Sequence, residues 1–345
     1  VNEPDILTIG SGSFKRGKKG VVDLPIGSLI NYQPVTMSVH IRRGKEPGPT
    51  LLLTAGVHGD EIIGMEILRR MLKSRKLQNM KGDLIIVPVV CMPAFLSRTR
   101  YLPDRRDLNR LFPGSPEGSL GGRLAATFVQ EIVPHCTHSI DFHAGAVGRP
   151  NLPQIRVSPG DLEAVEMAKA FDPPAIIESG VRDGSMRSHL TANKIPALIY
   201  EAGEAFRLDP SAVRYALYGI YGVMRHLGML PELTKAAKPP KAKTVVSNST
   251  KWIRASQGGL FTSQKGLGKA VTPGDKLGIL ADPFGRKETP VISDMEGIII
   301  GITLEGTADE GDALFHIAST VNAEKAQEHI QRSDQILEEH TDPLH

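Results

Sequence analysis

The sequence is poor in the residues that staple or anchor a chain. Its 345 residues include only two cysteines, Cys91 and Cys136, and no Cys-x-x-Cys. Two thiols make no disulfide framework, so a reduced, cytoplasmic setting is expected. No apolar run approaches the ~18 residues that a membrane helix needs. The first residues, VNEPDILTIG, lack the basic and apolar regions of a secretory leader, and they open on Val rather than Met, so residues upstream are expected. Charge of one sign is also lacking. Forty-one basic and thirty-eight acidic residues leave a net +3, spread along the chain. Neither nucleic acid nor a membrane surface is an expected partner. No GxxxxGK[ST] occurs, and GSGS (10–13) stands in no strand–helix unit, so a phosphate loop finds no support.

What is present is a regular alternation. Residues 1–45 read as short strands and turns, with MSVHIRRG (37–44) alternating along its length. LLLTA (51–55) and LIIVPVV (84–90) are short apolar runs, the pattern of strands covered on both faces. SIDFHA (139–144), QIRVS (154–158), AIIES (175–179) and ALIYEAGE (197–204) read as further strands. Between them Ile62, Met65, Leu68 and Leu72 fall at helical spacing, as do Leu120, Leu124, Phe128 and Ile132, and the series Val213 to Leu227. The order predicts an α/β domain with a mixed, mostly parallel sheet flanked by helices.

The pattern stops at PELTKAAKPPKAK (231–243), a basic, proline-bearing linker. Beyond it, residues 244–320 are glycine-rich with short β runs. TPGDKLGI (272–279) and DEGDALFHI (309–317) repeat Gly-Asp-x-Leu-x-x-Ile, which suggests two β halves forming a small barrel or sandwich. The expected division is therefore 1–240, 244–320 and a polar tail, 321–345, either a loose helix or disordered.

The chemistry concentrates in GVHGDEIIG (56–64). His58 and Glu61 sit in a glycine turn between a strand end and a helix start. Open α/β sheets bind ligands at that edge. Imidazole and carboxylate suit zinc, and a His₂Glu set is one of the catalytic zinc sites. The second imidazole is found at His143, at the end of the SIDFHA strand, with Asp141 two residues earlier placed to orient a ring. A plain reading stands beside this. His-x-x-Glu arises often by chance, Asp60 could cap the helix, and Glu61 could favour its dipole. Glu201, closing the ALIYEAGE strand, is either a base at the same edge or an exposed strand-end acid. Arg98, Arg100, Arg105, Arg106 and DLNR (107–110) fill a long loop region. Asn109 with Arg110, and Arg187 in GSMRSHL, suit a substrate carboxylate; Arg105 and Arg106 read as surface arginines.

GVHGDE, DLNR, DFHAG and YEAGE, in this order, resemble the succinylglutamate desuccinylase/aspartoacylase family, related to zinc carboxypeptidases. The likeness covers about residues 45–230 and extends loosely beyond. It implies a carboxypeptidase-like α/β fold, one zinc per chain and hydrolysis of the amide bond of a small N-acylated amino acid. It implies His58, Glu61 and His143 as metal ligands and Glu201 as general base. Arg100 would polarise the scissile carbonyl, and Asn109, Arg110 and Arg187 would hold substrate. The spacing of Arg100 to DLNR and of Arg187 to the glutamate departs from the family. Residues 244–320 resemble a biotinyl/lipoyl-type β-fold, read as a lid or homo-oligomer contact. Its hairpin ADPFGRKE (281–288) lacks a carrier motif, so Lys287 is read as solvated. A zinc carboxypeptidase and a non-catalytic binding protein are the rival readings.

Overall fold

The computed structural model describes residues 5–233 and 244–339. Four strands come first: β1 (Ile6–Ile9), β2 (Gly12–Lys15), β3 (Lys19–Ser28) and β4 (Pro34–Arg43). Along β4 buried residues alternate with more exposed ones, as its sequence alternation requires. The first α/β crossover then runs β5 (Thr50–Ala55), α1 (Ile63–Lys73) and β6 (Asp83–Val87). Both strands are buried at every position, which explains their largely apolar sequences. The chain continues through α2 (Met92–Ser97), α3 (Leu120–Glu131), β7 (His138–Gly145), β8 (Asn151–Val157), α4 (Leu162–Phe171) and β9 (Ala175–Glu178). Then follow α5 (Met186–Ala192), β10 (Ala197–Glu204) and α6 (Pro210–His226). Local chemistry starts these helices. Ser119, Asp161 and Asp209 accept backbone N–H bonds at the caps of α3, α4 and α6.

The C-terminal part holds β11 (Val245–Ser247), β12 (Thr250–Arg254), β13 (Gly259–Ser263), β14 (Ala270–Val271) and β15 (Lys276–Ala281). After them come β16 (Glu288–Ile292), β17 (Gly297–Ile302), β18 (Thr307–Ala308), β19 (Ala313–Ser319) and α7 (Ala323–Glu339). The repeated motif is one turn used twice. Gly274 and Gly311 take the left-handed φ values +95° and +90°. The following Asp275 and Asp312 each accept the N–H three residues back, from Thr272 at 2.9 Å and Asp309 at 2.8 Å. Each turn then launches a strand.

The central sheet is mixed; the mostly parallel pairing expected of it holds only in its middle, because the N-terminal β3 and β4 and the C-terminal β12, β17 and β19 add antiparallel pairs. Its order is β12-β19-β17-β8-β10-β7-β5-β6-β4-β3, with β9 on β8 and β11 on β9. β10, β7, β5 and β6 are mutually parallel, while β8 runs antiparallel to β10. The C-terminal strands thus split. β12, β17 and β19 extend the central sheet, and β16-β15-β13-β18 form a second sheet over a core containing Ile253, Phe261, Leu277 and Phe315.

Side chains alternate across the central sheet, and the two faces are covered differently. Leu51, Leu53, Ile140, Phe142 and Tyr200 pack with α1, α4 and α6. Leu52, Ile85, Val87 and Ala197 face the other way, toward α2 and α3. By the same alternation Thr54, Asp141, His143 and Glu201 belong to that second face.

The linker expected at 231–243 lies outside the described residues from 234 onward. The polar tail carries α7, docked where Tyr215 Oη donates to Asp334 (2.7 Å) and Gln327 accepts the N–H of Ala270 (2.8 Å). Among the described residues no helix is long and apolar enough to cross a membrane.

Candidate functional site

His58 and Glu61 lie in the turn after β5, and His143 lies in β7, the adjacent strand. The turn can pass because residue 59 is glycine. A Cβ there would stand 2.0 Å from the backbone of Ala94, and the Gly59 N–H donates to Thr99 at 3.0 Å. The loop carrying Arg100 is thereby drawn onto the motif. α1 begins only at Ile63, with no side-chain cap at Ile62. The capping role weighed for Asp60 is therefore not realised.

Donor atoms of His58, Glu61 and His143 all lie within 4.8 Å of one another. Glu61 is the hub. Its Oε1 is 2.6 Å from His58 Nδ1, its Oε2 is 2.8 Å from His143 Nδ1, and Oε2 also accepts the Ala144 N–H at 3.0 Å. Each imidazole has a second acid on its far nitrogen. Asp107 reaches His58 Nε2 at 3.1 Å, and Asp141 reaches His143 Nε2 at 2.8 Å. Asp141 is itself fixed by the Thr54 hydroxyl (2.7 Å) on β5. Arg100 donates to Glu61 (3.2 Å) and Asp107 (3.0 Å).

The three donors are only 2–4% exposed, so their charges must be balanced within the site. Burial pushes the Glu61 carboxyl up, but the two imidazoles outweigh it and hold Glu61 well below the usual carboxylate range. Burial pulls both imidazoles down. The Glu61 charge and the Asp107 hydrogen bond lift His58 above its ordinary value, and Asp141 and Glu61 lift His143 well above. Those facing nitrogens and that carboxylate are attractive to protons and to a divalent ion for the same reason. Two imidazoles, one carboxylate and an acid behind each ring make a donor set that fits zinc.

The DLNR and GSMR loops meet beside it. Asp107 caps the short turn 108–110 by accepting the Asn109 N–H at 2.8 Å. Asn109 Oδ1 accepts the Met186 N–H at 2.9 Å, and Phe112 N–H donates to Gly184 at 2.9 Å. The exposed Arg110 donates to the Asn109 carbonyl. Arg187 is buried, and its Nη2 donates to Ser179 and to the Gly180 carbonyl (3.0 Å). Burial pulls its guanidinium down to about 10. Arg105 and Arg106 are exposed, as expected.

Glu201 on β10 is in register with His143 on β7 and with Gln154 on β8, so it stands on the same sheet face as the second imidazole. Its Oε2 accepts from Asn151 Nδ2 at 3.0 Å, and its Oε1 lies 3.6 Å from Arg156 Nε. Sequence reading missed both β8 residues as well as Asp107 and Thr54. Asp107 stood within a quoted motif, and Arg156 shares the parity of Gln154 on a strand already identified; Asn151 left no local signal.

The comparisons with known proteins agree with this architecture. The family model of the succinylglutamate desuccinylase/aspartoacylase catalytic domain matches residues 47–227. An N-alpha-acetyl-L-2,4-diaminobutyric acid deacetylase from Halomonas elongata is 26% identical over 300 residues, covering 84% of this chain and 86% of its own. A succinylglutamate desuccinylase/aspartoacylase structure from Rhodobacter sphaeroides superposes with TM-score 0.75 at 26% identity, over 87% of this chain and 94% of that one. The product-bound ectoine utilization protein EutE of Ruegeria pomeroyi does so with TM-score 0.77 at 25% identity, over 88% and 95%. The chain belongs to the succinylglutamate desuccinylase/aspartoacylase family.

Proposed function

We propose that the protein is a zinc-dependent deacylase that hydrolyses the amide bond of a small N-acylated amino acid. The observation that carries this is the convergence of His58, Glu61 and His143 within 4.8 Å at the sheet edge. These three residues hold the ion, one per chain. Bound zinc would lower the pKa of a water and polarise a carbonyl at that place. Glu201, on the same face as His143, takes the proton from the attacking water and returns it to the leaving amine. Arg100, whose side chain already touches Glu61, faces the negative charge that develops on the carbonyl oxygen. Asn109, Arg110 and Arg187 bind the carboxylate that marks the substrate as an amino acid. The name of the Halomonas elongata relative, a deacetylase of an Nα-acetyl amino acid, supports an N-acetyl amino acid as the first substrate to try.

We read the C-terminal sheets as a biotinyl/lipoyl-type fold without its modified lysine, since the turn ADPFGRKE, organised by Asp282, carries no carrier motif around Lys287. The two free, buried thiols suit a reducing, cytoplasmic setting.

The test is a hydrolysis screen over N-acetyl, N-succinyl and N-formyl amino acids with peptides as controls, metal content being measured on the same sample. Nα-acetyl-L-2,4-diaminobutyric acid belongs in the first set. Hydrolysis of acyl-amino acids but not peptides is expected. Glu201→Gln is expected to keep its metal and lose about 10²–10⁴ in kcat, the usual contribution of a positioned base. Peptide cleavage alone, or wild-type turnover in Glu201→Gln, would overturn the assignment.

A further inference from the structure

A glutamate side chain at a strand end has three rotatable bonds, and fixing it costs free energy that something nearby must offset. In this protein the support comes from β8. Asn151 Nδ2 donates to Glu201 Oε2 at 3.0 Å, and Arg156 Nε sits 3.6 Å from Oε1. The two carboxylate oxygens are thus met from one neighbouring strand. The closer partner is an amide, which orients a carboxylate without adding a positive charge.

Asn151 is in turn hemmed in. It pairs with Gly203 on β10 and with Gly301 on β17, so it lies between the catalytic part and the C-terminal strands. A Cβ on Gly301 would lie 3.0 Å from Asn151 Oδ1 and 3.2 Å from the Cβ of His316. It would also lie 3.8 Å from Cη2 of Trp252, whose ring stacks on His316 with centroids 4.4 Å apart. Gln154 Nε2 adds a bond to the Ile300 carbonyl at 3.3 Å. The Asn151 amide oxygen therefore lies against Gly301 of β17, and His316 and Trp252 pack around that same glycine.

We propose that Asn151 is a positioning residue for Glu201, assisted by Arg156, and that the C-terminal strand β17 completes the active site by backing Asn151 through Gly301. The proposal rests on the reading of Glu201 as the base. It assigns the C-terminal strands a part in catalysis that needs no residue of theirs to touch substrate. Asn151 acts only through Glu201, so its removal slows the chemical step and leaves metal and substrate binding nearly intact.

The test uses the full chain and the N-acyl amino acid that the wild type turns over fastest. Asn151→Ala is expected to lower kcat about 10–100-fold, a part of what a base supplies, with KM within about twofold and zinc content unchanged. The double variant Asn151→Ala/Glu201→Gln is expected to be no slower than Glu201→Gln, because residues acting as a unit are not additive. Gly301→Ala keeps the Asn151 amide and crowds it; a several-fold fall in kcat at unchanged KM is expected. This variant also serves if Asn151→Ala loses its fold. Wild-type kcat in Asn151→Ala beside an inactive Glu201→Gln would overturn the inference alone. So would a loss residing in KM, or a further loss in the double variant equal to that of Asn151→Ala in the wild type. Full activity in Glu201→Gln would overturn the base assignment, and the inference with it.

Discussion

Replacing Asp141 by Asn should loosen the metal without touching a ligand. His143 has both ring nitrogens engaged, Nδ1 toward Glu61 Oε2 and Nε2 toward Asp141 Oδ2, each at 2.8 Å. The Thr54 hydroxyl donates to Asp141 Oδ1 at 2.7 Å, which leaves Oδ2 to accept the Nε2 proton. That bond holds a proton on Nε2, so that once the Nδ1 proton is displaced the lone pair lies on Nδ1, the nitrogen that faces the donor cluster. In Asp141→Asn the amide oxygen stays with Thr54, and the amide NH₂ turns to Nε2. Nε2 must then accept, and the ring proton moves to Nδ1, where a metal should bind. Loss of such an outer partner typically weakens metal binding about 10–100-fold, or about 1.4–2.7 kcal/mol. The assay is competition for zinc against a chromophoric chelator, with thermal unfolding of the chelated protein as a fold control. A transition that stays cooperative, with its midpoint lowered by loss of the buried Asp141–His143 pair, and weakened zinc binding are expected. Zinc affinity within about twofold of wild type would refute the claim that Asp141 orients the ligand.

Three other outcomes follow from the same geometry. Glu201→Gln separates binding from chemistry, with metal retained and turnover lost, as read by metal analysis and steady-state kinetics. Gly59→Ala would place a Cβ 2.0 Å from the Ala94 backbone; a loss of about 3 kcal/mol or more in denaturant unfolding is expected, and less than about 1 kcal/mol would mean the two loops part easily. The last concerns pH. His58 and His143 have raised pKa values without a metal, so near neutrality zinc must displace protons from them. Apparent affinity should fall as pH falls, by up to about tenfold per pH unit for each proton displaced. The chelated protein shows the reverse sign. Its imidazole–carboxylate pairs contribute fully below the unfolded histidine value of about 6.5 and are lost as pH rises through the raised folded values. Affinity independent of pH between about 6 and 8, measured by chelator competition, would contradict the donor assignment.

Much of the catalytic half is legible in the sequence because its signals are local. The runs at 51–55 and 84–90 are largely apolar since both strands are covered on both faces. The motifs GVHGDE and DFHAG fall at strand ends, where the fold places ligands. What escapes is non-local. No periodicity tells that β17 pairs with β8, some 150 residues earlier in the chain, as Gly301 opposite Asn151. Asn151 and Arg156 acquire their significance only from that register and from Glu201 on the next strand. Asp60 misleads for a related reason: its residue type suits a cap, but the chain bends toward Ala94 and Thr99 before α1 begins. The repeat around Gly274 and Gly311 is legible as a motif, whereas its physical meaning, an aspartate closing a left-handed turn, needs coordinates.

The central claim is that His58, Glu61 and His143 share one ion on which hydrolysis depends. The most direct measurement is zinc titration of the chelated wild-type protein, with hydrolysis of its fastest acyl-amino acid followed in the same cuvette. Activity returning in step with one equivalent of zinc, and no such return in His143→Ala, is the expected result. Undiminished hydrolysis after chelation, or full recovery in His143→Ala, would contradict the account.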